Sequence, residues 1–449
     1  MEALLSSTSA AGSRHMVAMP YPGRGHINPM MNLCKNLSSR APGITITFVV
    51  TEEWLGFIGS ESKPANISLA AIPNVLPSEL VRAQHYDEFI DAVFTKMGGP
   101  FEELLDRLQP VPTVIVADTF LSWALRAGKQ RNIPVALFCP SAAWDFSFFY
   151  HFHLFEQHGH FPLDLSEKGD EQVDYIPGLP PTRLADLIST GTIGLILQYV
   201  LDAFSIVHEA KYLLLATVYD AEYLAVDALK ASLSIPVYTI GPAIDFSRLA
   251  DDSCLNDADY LKWLDCQPGD SVLYISLGSF LSVSSSKMDE IAGCLYNSGI
   301  RFMWVVREEA SRLRDLCGDR GIVLPWCNQL RVLSHSSVGG FWTHCGWNSI
   351  WEAIVAGVPL LAYPIAMDQG GNATLVVEDW KVGWRVGREI TSLLRKFMDL
   401  EDDESREVRR QAKHLQELCR RVIGKGGSTE TNINSFIRDI SHSSEVQKV

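Results

Sequence analysis

Three polar residues in the second half of the chain stand at a spacing that suits phosphate binding. His344, Asn348 and Ser349 follow the apolar run 339–343, which reads as a strand, and Gly346 supplies a turn before a helical pattern begins. The first N–H groups of a helix have no partner within it, and the helix dipole favours negative charge there. The segment therefore predicts a diphosphate site.

Other side chains around this turn could bind the rest of a nucleotide sugar. Glu352 follows Ser349 within one helical turn, so its carboxylate can lie on the same side and accept from ribose hydroxyls. Trp326 offers a flat face for a base. Asp368 and Gln369 follow the next apolar run, where an acid and an amide suit sugar hydroxyls. The set predicts a nucleotide-sugar site.

A candidate acid–base pair stands in the first half of the chain. His26 comes just after an apolar run and the turn Gly23–Gly25, and Asp118 ends the run 113–118. A histidine has a near-neutral pKa and can remove a hydroxyl proton. An aspartate can hold the other ring nitrogen and stabilise the imidazolium. We expect His26 and Asp118 to form a catalytic dyad.

The elements around these residues predict an α/β fold. Runs rich in β-branched and apolar residues alternate with helical patterns from residue 16 to about 240, and the alternation resumes after residue 270. The polar, acidic segment 241–269 separates the two. We expect an N-terminal Rossmann-like domain over 1–240, a linker over 241–269 and a C-terminal Rossmann-like domain over 270–449, whose final helices pack back on the first domain. A ligand cleft should lie between the domains.

Composition excludes several classes of protein. The 449 residues are 47% hydrophobic and 20% charged, as in globular proteins, and the net charge of −15 disfavours a nucleic-acid partner. Nine scattered cysteines suggest a reducing compartment. The N-terminus does not read as a secretory signal, and no apolar run reaches the roughly 18 residues of a membrane span. A cytoplasmic monomer is expected.

The segment from Trp326 to Gln369 resembles the plant secondary product glycosyltransferase signature of the family 1, UDP-sugar-dependent enzymes, which have the GT-B fold. The likeness extends over nearly the whole chain, through PYPGRGHINPM near the start, the DTF and IGP segments and GGS near the end. It is greatest to the plant family 87 branch. The family implies a UDP-sugar donor and a small lipophilic acceptor.

The resemblance also implies a role for each matching residue. Trp326 and the Cys327 backbone would meet uracil, and Gln329 and Glu352 would hold ribose. The diphosphate would be held by Ser279, His344, Asn348 and Ser349, and the sugar would be faced by Trp347, Asp368 and Gln369. In this family a glutamine at the last position accompanies glucose donors, which makes UDP-glucose the expected co-substrate.

The same resemblance implies that His26 is the general base that deprotonates the acceptor in a single inverting displacement. Asp118 would assist it. No metal or further cofactor is expected. The triplet Asp257-Ala258-Asp259 has the spelling of a metal-binding motif but favours a helix cap, and the histidines between 151 and 160 lack the spacing of a metal site.

Two other functions remain open. The segment Gly23–Asn28 begins like a dinucleotide fingerprint, and Glu52 could bind a ribose, but Asn28 stands where a third glycine belongs. An NAD-binding protein would also leave 326–369 unexplained. A catalytically silent UDP-sugar sensor would keep the fold without transfer, although the presence of both His26 and Asp118 disfavours it.

The acceptor cannot be identified from the chain. The aromatic stretch after residue 140 suggests Ser141, Trp144 and Phe148 as acceptor contacts. Flavonoids, monoterpenols, phenolic acids and hormones all fit the prediction of a hydroxyl or carboxyl acceptor. The segment between Arg385 and the next predicted helix is about ten residues shorter than the corresponding segment in family members.

Overall fold

The first half of the chain forms a parallel sheet of seven strands. The computed structural model describes residues 14–82, 84–162, 165–189, 194–246, 258–278, 283–307, 309–317 and 320–446. The strands of the first sheet are β1 (Arg14–Met19), β2 (Ile44–Thr51), β3 (Ile67–Ile72), β4 (Val114–Asp118), β5 (Val135–Cys139), β8 (Tyr212–Leu215) and β9 (Val237–Thr239). Their order is β3-β2-β1-β4-β5-β8-β9. A separate antiparallel pair consists of β6 (Gln172–Val173) and β7 (Thr182–Arg183).

Helices connect and cover these strands. They are α1 (Arg24–Arg40), α2 (Glu52–Ile58), α3 (Tyr86–Thr95), α4 (Gly98–Arg107), α5 (Ser122–Gln130), α6 (Ala143–Tyr150), α7 (His153–Gln157), α8 (Leu165–Lys168), α9 (Leu184–Leu187), α10 (Leu195–Ser205) and α11 (Tyr223–Ser232). Strands β4 and β5 are buried at every position because both faces of the sheet are covered.

The second half forms a parallel sheet of six strands. They are β10 (Val272–Ser276), β11 (Arg301–Val305), β12 (Gly321–Leu324), β13 (Val338–Thr343), β14 (Leu360–Ala362) and β15 (Gly383–Arg385), in the order β12-β11-β10-β13-β14-β15. The helices are α12 (Ala258–Asp265), α13 (Ser285–Ser298), α14 (Ala310–Cys317), α15 (Gln329–Leu333), α16 (Trp347–Ala356), α17 (Gln369–Thr374), α18 (Ile390–Met398), α19 (Asp403–Ile423) and α20 (Ser428–Val446). These two parallel sheets confirm the predicted α/β fold.

The last helix returns to the first sheet. Ile433, Phe436 and Ile440 of α20 are buried in the same apolar cluster as the residues of β1 and β2. The side-chain amide of Asn432 donates to the carbonyl and the hydroxyl of Thr239, both at 2.9 Å. Helix α20 therefore belongs by packing to the first unit, although the chain reaches it after the second.

Each sheet reverses its strand order at one place. In the first sheet the chain moves outward from β1 on one side and from β4 on the other, and in the second sheet from β10 and β13. A crevice opens at such a point because the connections leave on opposite faces. The residues expected to do chemistry follow three of these four strands: His26 after β1, Asp118 at the end of β4, and His344 after β13.

One detail differs from the sequence prediction. Helix α1 begins at Arg24, within the predicted turn Gly23–Gly25, so His26 lies inside the first turn of the helix. Part of the expected linker, residues 247–257, lies outside the described residues. Among the helices that the structure describes, none is long and apolar enough to cross a membrane.

Candidate active site

A cleft of about 2380 Å³ is lined by residues of both units. From the first unit it receives the start of α1, Phe120 just after β4, and α6, and from the second it receives α15, the start of α16 and the start of α17. The cleft joins two chemically different parts. One part is apolar and aromatic, and the other is polar.

His26 and Asp118 are in direct contact at the junction of these two parts. His26 Nδ1 lies 2.8 Å from Asp118 Oδ2. Asp118 is fully buried, and its Oδ1 accepts the N–H of Phe120 at 3.2 Å, which fixes the carboxylate. A carboxylate at Nδ1 selects the tautomer with the proton on that nitrogen. The other nitrogen, Nε2, is then the basic atom that remains for a substrate in the cleft.

The apolar part of the cleft begins at the His26 ring. The ring centroids of Tyr21 and Phe120 lie 4.9 Å and 6.1 Å from that of His26. The wall continues through apolar side chains, which are Phe89, Ile90, Phe94, Phe149, Leu187, Ile188, Ile196 and Val200. An apolar wall of this kind can accommodate a lipophilic group next to His26.

A strained turn aims the start of α16 into the cleft. Cys345 has a φ of 67°, in the left-handed region that side chains seldom occupy, and its carbonyl accepts the Asn372 amide at 3.0 Å. Gly346 follows as the N-cap of α16. A Cβ at this glycine would lie 2.5 Å from His344 Nε2, so only glycine lets the imidazole lie beside the turn.

His344 is neutral at physiological pH. Burial lowers the pKa of His344 to about 4, because the imidazolium would lose its hydration. A hydrogen bond with the backbone of Ser276 opposes this shift without cancelling it, and the Nδ1 atom is buried. His344 therefore offers a hydrogen bond to a phosphate rather than a positive charge.

The helix start also contacts the first unit. The Asn348 side-chain amide donates to the Gly25 carbonyl at 2.9 Å. The amide carries a second hydrogen, and the backbone N–H groups of the first turn have no partner within the helix. Asn348 therefore joins the predicted diphosphate site to the turn that carries His26.

The two residues predicted to hold the ribose, Gln329 and Glu352, form a hydrogen-bonded group with Ser349, which was predicted for the diphosphate. Gln329 Nε2 donates to Glu352 Oε2 at 2.7 Å and to Ser349 Oγ at 3.0 Å. Trp326 lines the cleft and is 57% exposed, which leaves an indole face open to a base. Cys327 is buried beside it. Ser279 lies outside the described residues.

Two of the three residues predicted to face the sugar, Asp368 and Gln369, lie at the start of α17. Gln369 Oε1 accepts the N–H groups of Ile365 and Ala366, at 2.8 and 3.0 Å. These two donors fix the amide orientation and leave Nε2 as a donor. Asp368 Oδ2 accepts the Asn372 amide at 2.8 Å, and burial raises the pKa of Asp368. The third predicted residue, Trp347, lines the cleft, but its indole N–H donates to the Ala216 carbonyl.

Two of the three predicted acceptor contacts lie elsewhere. Trp144 and Phe148 do not line the cleft, because they occupy the face of α6 that packs into the core. The cleft face of this helix carries Asp145 and Phe149, with Ser141 just before the helix. Asp145 was not predicted. The sequence feature that could have identified it is an acidic residue within an apolar stretch, where charged residues are uncommon.

Trp144 instead joins the two units. Its indole N–H donates to Asn372 Oδ1 at 2.9 Å, and the Asn372 amide in turn donates to Asp368. Asn372 was also missed by the sequence analysis, since a single buried asparagine has no sequence pattern. A second contact between the units is formed by the Arg385 guanidinium, which donates hydrogen bonds of 2.9 and 3.2 Å to the Asp186 carboxylate. The chain passes from Arg385 to α18 through residues 386–389 alone.

The histidines between 151 and 160 have ordinary roles. His151 Nδ1 lies 2.9 Å from the Ser147 carbonyl, and His160 contacts Tyr175 and Glu171. In the part of the chain that the structure describes, no group of three or more His, Cys, Asp or Glu side chains could hold a metal ion. Asp257 of the DxD triplet lies outside the described residues.

The geometry defines a class of protein: two Rossmann-like units of the GT-B type, with a nucleotide-sugar site in one and an apolar pocket in the other. The family model described as "UDP-glucoronosyl and UDP-glucosyl transferase" matches residues 253–394. UDP-glycosyltransferase 87A1 of Arabidopsis thaliana is 50% identical over 437 residues, covering 94% of this chain and 99% of the relative. UDP-glycosyltransferase 87A2 of the same plant is 49% identical, covering 96% and 97%. The chain belongs to the plant family 1 UDP-glycosyltransferases, in the 87 branch.

Solved structures agree with this assignment. A UDP-glucosyltransferase from Polygonum tinctorium capable of glucosylating indoxyl is 28% identical with a TM-score of 0.81, covering 96% of this chain and 99% of the other. UGT2 of Phytolacca americana, complexed with UDP-2-fluoro-glucose and pterostilbene, is 27% identical with a TM-score of 0.80, covering 95% and 100%. The chain is a UDP-sugar-dependent glycosyltransferase of plant metabolites.

Proposed function

We propose that this enzyme transfers glucose from UDP-glucose to a hydroxyl or carboxyl group of a small lipophilic plant metabolite, with inversion at the anomeric carbon. The observation that carries the proposal is the 2.8 Å contact between His26 and Asp118 at the junction of the apolar pocket and the polar site. A base at this position lies between an acceptor and a donor.

The chemical step is a single displacement. His26 Nε2 takes the proton of the acceptor hydroxyl as its oxygen attacks the anomeric carbon. The bond between that carbon and the phosphate oxygen breaks on the opposite face, and UDP leaves. Asp118 stabilises the imidazolium that forms. One displacement inverts the configuration, and the bound proton leaves His26 when the products depart.

The start of α16 meets the charge that develops on the departing diphosphate. Its N–H groups, the Asn348 amide and neutral His344 are hydrogen-bond donors held in place before the reaction. The proposal assigns the stabilisation of the leaving group to these donors, without a metal ion. Trp326, Cys327, Gln329 and Glu352 would hold the nucleoside side of UDP, and Ser349 would contact the diphosphate.

The donor sugar is proposed from the start of α17. The fixed amide of Gln369 presents Nε2 as a donor, and the neighbouring Asp368 carboxyl can accept. A donor and an acceptor on adjacent residues suit neighbouring hydroxyls of a pyranose ring. The apolar wall around Phe89, Phe120 and Phe149 favours an aromatic or terpenoid acceptor.

UDP release from UDP-glucose, measured in EDTA with a mixed panel of phenolic, terpenoid and carboxylic acceptors, tests this function. We expect acceptor-dependent release and a product with the anomeric configuration opposite to that of the donor, determined by NMR. Saturable UDP-glucose binding without release for any acceptor would indicate a silent sensor. Release that depends on an added divalent metal would contradict the metal-independent step.

A further inference from the structure

Asp145 is a buried acid with one carboxylate oxygen still available to a ligand. The residue is 5% exposed and lines the cleft from the first turn of α6. Its Oδ2 accepts the Ser141 hydroxyl at 3.1 Å. In the described part of the chain Oδ1 accepts no hydrogen bond. Because Asp145 lines the cleft and this oxygen has no partner among the described residues, the position is suited to a ligand that donates a hydrogen bond.

A continuous set of hydrogen bonds fixes Asp145 relative to Asp368. Trp144, the preceding residue, donates from its indole to Asn372 Oδ1 at 2.9 Å. The Asn372 amide then donates to Asp368 Oδ2 at 2.8 Å. Close packing also holds Trp144 against the second unit, because a Cβ at Gly371 would lie 2.3 Å from the Trp144 ring. The two acids therefore reach one part of the cleft from opposite units with little freedom to move apart.

The electrostatics of this pair select the chemistry of its ligand. Burial raises the pKa of Asp145 well above its usual value, and the charged groups that act on it, Asp368 and Glu222, are both acids. Carboxyls with raised pKa values offer no positive charge to a phosphate or a carboxylate. A purely apolar group would leave their oxygens buried without partners. A neutral molecule with several hydroxyls carries no negative charge and can donate hydrogen bonds to both carboxyls.

We propose that Asp145 binds a hydroxyl of the transferred sugar, so that the sugar is held between Asp145 of the first unit and Asp368 of the second. The proposal rests on the proposed function, since it takes the sugar of a UDP-sugar as the ligand. Asp145 then acts as a specificity-determining residue for the donor. The hydroxyl hydrogen is donated to Oδ1, and Ser141 keeps Oδ2 in place.

The test compares the binding of UDP-glucose with the binding of UDP, by calorimetry without an acceptor. UDP lacks the sugar and serves as the internal control. Asp145→Leu keeps the size of the side chain and removes its oxygens, and Asp145→Ser keeps a polar group that is too short to reach. We expect both to weaken UDP-glucose binding about tenfold, with UDP binding unchanged. Asp145→Asn keeps an acceptor oxygen, and its loss should be about threefold or less.

A matched control is Asp227→Leu. Asp227 is exposed on α11, outside the cleft, and accepts the Tyr219 hydroxyl at 3.0 Å. This variant should bind both ligands as the wild type does. Equal affinity for UDP-glucose in the wild type and both Asp145 variants would overturn the proposal. So would a loss confined to the KM of the acceptor, which would place Asp145 in the acceptor site.

This readout is independent of turnover. If the wild type binds UDP-glucose but transfers no sugar, the proposed function fails while the binding ratio still tests Asp145. If transfer proceeds and the ratio is unchanged in the variants, the function stands and the assignment of Asp145 is wrong.

Discussion

The side-chain amide of Asn348 donates a hydrogen bond of 2.9 Å to the carbonyl of Gly25. Gly25 precedes the proposed base, and Asn348 lies in the first turn of α16, where the diphosphate is expected. The same amide has a second hydrogen for a phosphate oxygen. Donor binding and the position of His26 are therefore linked through one side chain.

Replacement of Asn348 should lower both UDP affinity and turnover. Asn348→Ala removes the amide and should reduce kcat/KM about tenfold, since each lost hydrogen bond is worth about 1 kcal/mol. Asn348→Asp has the same shape but no donor, and its charge opposes both the carbonyl and the phosphate. We expect its loss to exceed that of Asn348→Ala. An aspartate variant as active as the alanine variant would contradict the contact with Gly25 and phosphate.

Trp326 should contribute to donor binding without contributing to folding. Its indole is 57% exposed, so Trp326→Ala should leave the melting temperature unchanged. Stacking on a base is worth about 1–3 kcal/mol, which predicts a loss of UDP affinity of about tenfold or more by calorimetry. Trp326→Phe keeps a smaller ring and should show a partial loss. Unchanged UDP affinity in Trp326→Ala would remove this residue from the nucleoside site.

Stability near His344 should depend on pH in a defined direction. Its pKa is lowered to about 4 in the folded protein and is about 6.5 in the unfolded chain. The unfolded state therefore binds more protons between these values, so stability rises with pH over this range and is constant above it. Relative to His344→Asn, the wild type should gain about 3 kcal/mol of unfolding free energy between pH about 4 and 7. A constant difference across the range would contradict a neutral buried imidazole.

Glu222 should make the free energy of unfolding depend on pH in the opposite direction. Its carboxyl accepts the N–H groups of Ala143 and Trp144 at the start of α6, and burial raises its pKa to about 7. The folded state then binds more protons than the unfolded state, so stability falls as pH rises from about 4.5 to 7. Relative to Glu222→Gln, the wild type should lose about 3 kcal/mol over that range. Urea unfolding measures this, with exposed Glu417→Gln as the surface control. A slope of the other sign would contradict the burial of the carboxyl.

The fold and the polar half of the cleft could be predicted because their signals are local. The alternation of strands and helices places His26, Asp118 and His344 near points where strand order reverses, and the segment from Trp326 to Gln369 lies close to one such point. The chemistry of each residue type then suggests which part of the substrate, or which other residue, it contacts. Neither inference needs contacts between distant parts of the chain.

The acceptor wall could not be predicted because it depends on the rotation of one helix. In α6 every residue from Ala143 to Phe149 is buried, so the sequence shows no polar face that marks the cleft. Packing against Asn372 and Gly371 turns Trp144 inward and Asp145 toward the cleft. Asn372 lies 228 residues from Trp144 in the chain, and Asp186 lies 199 residues from its partner Arg385. The monomeric state and the cytoplasmic location remain predictions.

The role of His26 is tested most directly by acceptor-dependent UDP release from His26→Ala at saturating UDP-glucose. General base catalysis contributes about 10² to 10⁴ in rate, so we expect kcat to fall by at least a hundredfold. UDP affinity, measured by calorimetry in the same preparation, should be unchanged because the diphosphate and nucleoside residues are intact. A variant that binds UDP normally and keeps more than about a tenth of the wild-type kcat would contradict His26 as the base.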